Sequence, residues 1–145
     1  MKINLSNEQY KTLMKIVYLG NYMVNGSRID DEVIKEFEDI EQYIFSFYKD
    51  FQLDSWIEKS DKYNQLFPTS ELEDEVLDYI HDYDDECFWE GLVSNLARKD
   101  FINQYGLEKI NKMSIEERIN KEQPFLDKYY AEIEKNDLKN IGIKN

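Results

Sequence analysis

The chain has 145 residues and a mass of 17.5 kDa, which fits one ordinary domain with a single hydrophobic core. Eighteen Lys and Arg stand against 31 Asp and Glu, a formal net charge of -13, so direct binding to a phosphate backbone or an anionic membrane surface is disfavoured, because both take their affinity from cations. Disorder is the obvious alternative for so acidic a chain, but 14% of its residues are Phe, Trp or Tyr, and disordered segments are poor in such rings.

In chain order, Ser6 with Gln9 reads as a capping box, and Tyr10, Leu13, Met14 and Val17 follow at helical spacing, so a first helix is expected from about 7 to 25, with Gly26 as its stop. Asp30 is the expected cap of a second helix, whose apolar positions Val33, Ile34, Phe37, Ile40, Ile44, Phe47, Tyr48 and Phe51 keep the 3.6-residue period. The stretch from Gln52 to Pro68 carries Trp56, Ile57, Leu66 and Phe67 and reads as one or two short helical turns crossing the core. Ser70 and Glu73 form another capping box, and Leu72, Val76, Tyr79, Ile80 and Tyr83 define the inner stripe of a helix from 71 to 83. Asp84 or Asp85 is expected to restart the chain into a fourth helix, with Phe88, Leu92, Val93, Leu96, Phe101 and Ile102 inside and Gly106 as its stop. Ser114 with Glu117 repeats the box, and Pro124 fits the first turn of a last helix carrying Phe125, Leu126, Tyr129 and Ile133. No segment alternates with period two for long enough to be a strand. The expected fold is all-α: a single compact domain of five or six helices over 1–135, with 136–145 as a frayed tail.

Cys87 is the only cysteine and His81 the only histidine, which excludes an internal disulfide, the usual zinc sites and a di-iron bundle with two Glu-x-x-His motifs. On a continuous helix those two residues lie about 240° apart, so they read as a surface histidine and a small buried hydrophobe rather than a catalytic pair. An EF-hand beginning at Asp82 fails, with Cys87 at its sixth position and Val93 at its twelfth. No apolar run reaches the roughly 20 residues of a membrane span, and the opening MKINLSNEQY lacks the core of a signal peptide. The expected location is the cytoplasm.

Charge is unevenly spread. Residues 30–90 hold 21 acids against Lys35, Lys49, Lys59 and Lys62, a balance of -17, whereas the rest of the chain carries +4. Between 71 and 90 there are ten acids and no Lys or Arg, an arrangement that costs stability because like charges at helical neighbour spacing repel. At 100° per residue Glu71, Asp74, Glu75, Asp78 and Asp82 share one arc opposite the Leu72, Val76 and Tyr83 stripe. Those five carboxylates span about 16 Å of helix, roughly one charge per 4 Å. A DNA strand presents about one phosphate per 3.4 Å of axis, so a basic groove built for nucleic acid could accept this ridge as a decoy. Asp30, Asp31, Glu32, Glu36, Glu38, Asp39 and Glu41 would supply a second row. Asp85 extends the partner-binding set, and Trp89, beside Phe88, is a candidate anchor for a partner's pocket if Phe88 is core. The plainer account of the same acids is a solvated helix face, some of them favouring the helix N-terminus. The later bases Arg98, Lys99, Lys109, Lys112, Arg118 and Lys121 are expected to pair with the acidic half.

An enzyme reading competes. All-α nucleoside triphosphate pyrophosphohydrolases bind magnesium through paired E-x-x-E and E-x-x-D signatures, and Glu38-Asp-Ile-Glu41 and Glu75-Val-Leu-Asp78 resemble those pairs. In that alternative Glu38, Glu41, Glu75 and Asp78 are the metal ligands, yet no cluster of Lys or Arg accompanies them to hold a triphosphate. The balance is against an enzyme, and no cofactor is expected.

Three stretches, Glu38-Asp-Ile-Glu-Gln-Tyr-Ile-Phe-Ser-Phe, Tyr83-Asp-Asp-Glu-Cys-Phe-Trp-Glu-Gly-Leu and Leu96-Ala-Arg-Lys-Asp-Phe, resemble those of short acidic bacterial proteins without an assigned function. That resemblance implies no activity and no site residues. Size and charge polarity are similar to those of phage-encoded anti-restriction and anti-CRISPR proteins, a likeness of physical type rather than of motif. The sequence therefore points to a helical protein that docks a carboxylate ridge on a basic, nucleic-acid-binding protein surface and blocks it, without binding nucleic acid or membrane itself and with a homodimer left open. A housekeeping interaction module, showing its largest apolar patch away from the ridge, is the third class.

Overall fold

The computed structural model describes residues 3–142, so Ile143 to Asn145 of the expected tail lie outside the described residues. The architecture is predominantly helical, with one two-stranded antiparallel ribbon. The chain divides into two compact units, Met1–Asp82 and Tyr83–Asn145.

In the first unit, helix α1 runs Asn7–Asn25. Its capping box is closed in both directions: Ser6 Oγ accepts from the Gln9 amide at 3.3 Å and Gln9 Oε1 accepts from the Ser6 amide at 2.9 Å. The expected long second helix is shorter than its apolar period. Asp30–Glu32 forms a separate 3-10 turn, and α2 spans only Lys35–Phe45. At its start Asp30 takes a left-handed φ of 50° and so cannot cap a helix, and at its end α2 is capped at Ser46, so that Phe47, Tyr48 and Phe51 lie beyond it. The N-cap is instead Ile34, which has no capping side chain of its own. Asn25 of α1 supplies the missing partner, accepting from the Ile34 amide at 2.9 Å and donating to the Ile34 carbonyl at 3.2 Å.

The segment read as crossing helical turns is a hairpin, with β1 at Ile57–Ser60 and β2 at Gln65–Pro68, Ile57 opposite Pro68 and Ser60 opposite Gln65. Asn64, at φ 51°, turns the chain between them. Gln42 of α2 covers the outer edge of β2: its Oε1 accepts from the Leu66 amide and its Nε2 donates to the Leu66 carbonyl, both at 2.8 Å. Trp56 and Ile57 enter the core as expected, with Tyr10, Met14, Phe45, Leu53 and Leu72. Tyr10 stacks on Phe51 at 3.9 Å between centroids and donates its hydroxyl to the Ile44 carbonyl. Burial, reinforced by Asp50, pushes the Tyr10 phenol up to about 12.

Helix α3 runs without a break over Ser70–Tyr105, so neither Asp84 nor Asp85 restarts the chain. Between Ser70 and Glu90 there is no Gly or Pro to end it. Ser70 lies within the first turn rather than capping it. The opening amides of Leu72 and Glu73 donate to the Thr69 carbonyl at 3.1 Å, and Thr69 is tied by its own amide and hydroxyl to the carbonyls of Trp56 and Ser55. Gly106 ends α3 as expected, at φ 75°, a conformation that favours glycine.

In the second unit, the one-turn α4 at Leu107–Ile110 leads to α5 at Ile115–Asn136. The Ser114 hydroxyl caps α5, accepting from the Glu117 amide at 3.1 Å. Pro124 sits inside this helix rather than in its first turn, where it removes one backbone donor. Val93, Ala97 and Phe101 of α3 and Ile110 of α4 are buried, and Phe125 of α5 meets Phe101 edge to face at 5.9 Å. Asn136, the last residue of α5, and Asn140 beyond it both donate their side-chain amides to Glu132.

Candidate functional site

The rotation of α3 is set by Leu72 and Val76, both fully buried in the first unit. Residues on the opposite arc must face outward, and Glu71, Asp74, Glu75, Asp78 and Asp82 are all exposed. Two of the five are engaged within the unit. Glu71 accepts from the Ser55 hydroxyl at 2.9 Å, and Glu75 accepts from Lys15 of α1, whose ammonium holds that carboxyl below its ordinary value. Asp74, Asp78 and Asp82 make no side-chain hydrogen bond or ion pair among the described residues. Of all 21 acids between 30 and 90, Glu75 alone forms an ion pair among those residues.

The expected second row is thinner than its sequence. Asp30, Asp31, Glu32, Glu36 and Asp39 are exposed, but Glu38 is half-buried and accepts from Gln65 at 3.2 Å. Glu41 is buried, 8% exposed, and accepts from Asn21 at 2.9 Å. Removal from water pushes its carboxyl up to about 7, against the lowering effect of the Asn21 bond, with Glu38 adding to the rise.

Those same engagements bear on the metal-ligand alternative. Glu38 is committed to Gln65, Glu41 to Asn21 and Glu75 to Lys15, leaving Asp78 as the one unengaged member of the four. Among the described residues no group of three or more His, Cys, Asp or Glu is arranged to hold a metal ion. His81 and Cys87 are both exposed on the unbroken α3, so Cys87 is not the buried hydrophobe expected of it.

Asp85 is exposed on α3 within the second unit. The neighbouring aromatic pair inverts the expectation: Phe88 is 51% exposed and Trp89 is the half-buried member, the two rings meeting edge to face at 5.0 Å. Tyr79 and Tyr83, read as part of the inner stripe, are exposed as well. Three of the later bases pair locally rather than with the acidic half: Arg98 and Arg118 with Glu122 at 3.3 and 3.8 Å, and Lys121 with Glu117. The cation that does reach the ridge, Lys15, carries no sequence signal, since 60 residues separate it from Glu75.

Among the described residues no helix is long and apolar enough to cross a membrane. Comparison with protein-family models, with curated proteins and with solved structures finds no match.

Proposed function

We propose that this chain is a non-enzymatic helical protein of the cytoplasm that lays the carboxylate ridge of α3 against a basic protein surface, in particular the groove in which a nucleic-acid-binding protein holds phosphates, and so blocks it. The observation that carries this reading is the unneutralised state of Asp74, Asp78 and Asp82: they are exposed, at successive helical turns, with no cation beside them among the described residues. A solvated surface normally mixes signs, and an unpaired row of one sign favours fast association with a surface of the opposite sign. Glu71 and Glu75 continue the row, and their bonds to Ser55 and Lys15 hold two of its carboxylates in place.

The test is a tagged pull-down from lysate with and without competing duplex DNA, repeated with Asp74→Lys/Asp78→Lys. Both positions are exposed, so helicity by circular dichroism should be unchanged. The expected result is recovery of a nucleic-acid-binding protein that duplex DNA displaces and that the double variant binds at least about tenfold more weakly, each tenfold corresponding to about 1.4 kcal/mol. Unchanged affinity in the double variant refutes the proposal.

A further inference from the structure

The second unit carries a different feature, independent of the ridge. Where α3 gives way to α4, a shallow cavity of about 640 Å³ is lined by Ile102, Tyr105, Leu107, Glu108, Lys109 and Lys112. That volume lies within the range of small-molecule sites. Its frame is fixed by backbone bonds, Gly106 to the Ile102 carbonyl at 2.8 Å, Ile110 to the Gly106 carbonyl at 3.1 Å and Lys112 to the Lys109 carbonyl at 3.1 Å. The buried Ile110 anchors α4 from below.

The electrostatics of this place run against those of the acidic stretch 30–90. Lys109 and Lys112 stand three residues apart, the spacing at which like charges repel on a helical turn, and neither has a carboxylate within ion-pair distance among the described residues. A third cation, Lys121 of α5, lies 5.4 Å from the centroid of the Tyr105 ring, and Lys109 lies 5.6 Å from the same centroid. Lys121 is neutralised by Glu117. Glu108 is the one acid lining the cavity, so Lys109 and Lys112 outnumber it. Lys109 and Lys112, neither with a carboxylate partner among the described residues, beside an aromatic ring and the apolar side chains of Ile102 and Leu107 make a place for an anion with a flat or apolar body.

We infer that this cavity binds a small phosphate monoester, its phosphate between Lys109 and Lys112 and its organic body against Tyr105, Ile102 and Leu107. Two lysines can act as point charges toward a phosphate, and the apolar wall adds selectivity for a ligand larger than the bare ion.

The experiment titrates the full chain, labelled with nitrogen-15, with adenosine monophosphate and follows the amide resonances of Tyr105, Gly106 and Lys109. Adenosine and inorganic phosphate serve as parallel probes. Expected are saturable shifts with AMP below about 1 mM, displacement of AMP by inorganic phosphate, and no saturable shift with adenosine. Lys109→Gln/Lys112→Gln should weaken AMP by at least about tenfold, and Lys109→Arg/Lys112→Arg should retain it. No saturable AMP shift in the intact chain overturns the inference, as does an equal response to adenosine or an AMP affinity unchanged in the Gln pair. None of these outcomes bears on α3, whose test uses different residues and a different partner.

Discussion

Glu41 gives the sharpest test of the structure's energetics. It is buried on α2 with one side-chain donor, Asn21, for its two oxygens, and its carboxyl is pushed up from the ordinary 4.5 to about 7. At about 1.4 kcal/mol per tenfold change in proton affinity, that rise is worth about 3 kcal/mol. Between those two values the folded chain keeps a proton that the unfolded chain has released, so stability falls as pH rises from about 4.5 to about 7 and levels off above that. Replacing Glu41 by Gln removes the ionisation and keeps an oxygen for Asn21. Urea unfolding followed by far-ultraviolet circular dichroism should then show the variant and the wild type equally stable near pH 4, and the variant more stable by about 3 kcal/mol at pH 8. The same pH dependence in both proteins would refute the reasoning, because it would mean that Glu41 pays no desolvation cost in the fold.

Two further substitutions probe how the elements are held. Gln42→Ala removes both side-chain bonds to the Leu66 backbone and should cost about 1–3 kcal/mol in urea unfolding; no loss would show that water replaces the amide at the edge of β2. Pro124→Ala restores a backbone donor at an exposed position inside α5 and should raise the thermal midpoint, helix propensity alone favouring Ala by up to about 3 kcal/mol. A lowered midpoint would mean that the backbone restriction at Pro124 is what sets Phe125 against Phe101.

The parts of the fold that were legible in the sequence are those whose signals are local. α1 is bounded as expected because Ser6 and Gln9 satisfy each other within one turn, and Gly106 ends α3 because its φ favours glycine. Signals that depend on distant partners were not legible. α2 follows a clear apolar period, yet its start is decided by Asn25 on another helix. The hairpin has two strands of four residues, too short to show alternation, and its outer edge is covered by Gln42. The acids at 84 and 85 suit a helix start, but with no Gly or Pro between Ser70 and Glu90 the helical bonding simply continues.

For the ridge, helical geometry alone placed the five carboxylates on one face, because Leu72 and Val76 leave no other rotation. The engagement of Glu71 and Glu75 by Ser55 and Lys15 could not be read from α3, since both partners come from other segments. The burial of Glu41 did have a signal: it stands four residues from Phe37 and four from Phe45, on the apolar side of its own helix.

The clamp between Asn25 and Ile34 makes the two helices unequal in how their starts are satisfied. α1 holds its own start signal in the Ser6–Gln9 box, whereas α2 lacks one, and helix nucleation is costly. The Ile34 amide at the start of α2 finds its acceptor only when Asn25 is brought within reach across the intervening loop, whose closure entropy is small because nine residues separate the partners. The chain of side-chain bonds from Ile34 through Asn25 and Asn21 to Glu41 fastens the beginning and the middle of α2 to the same helix.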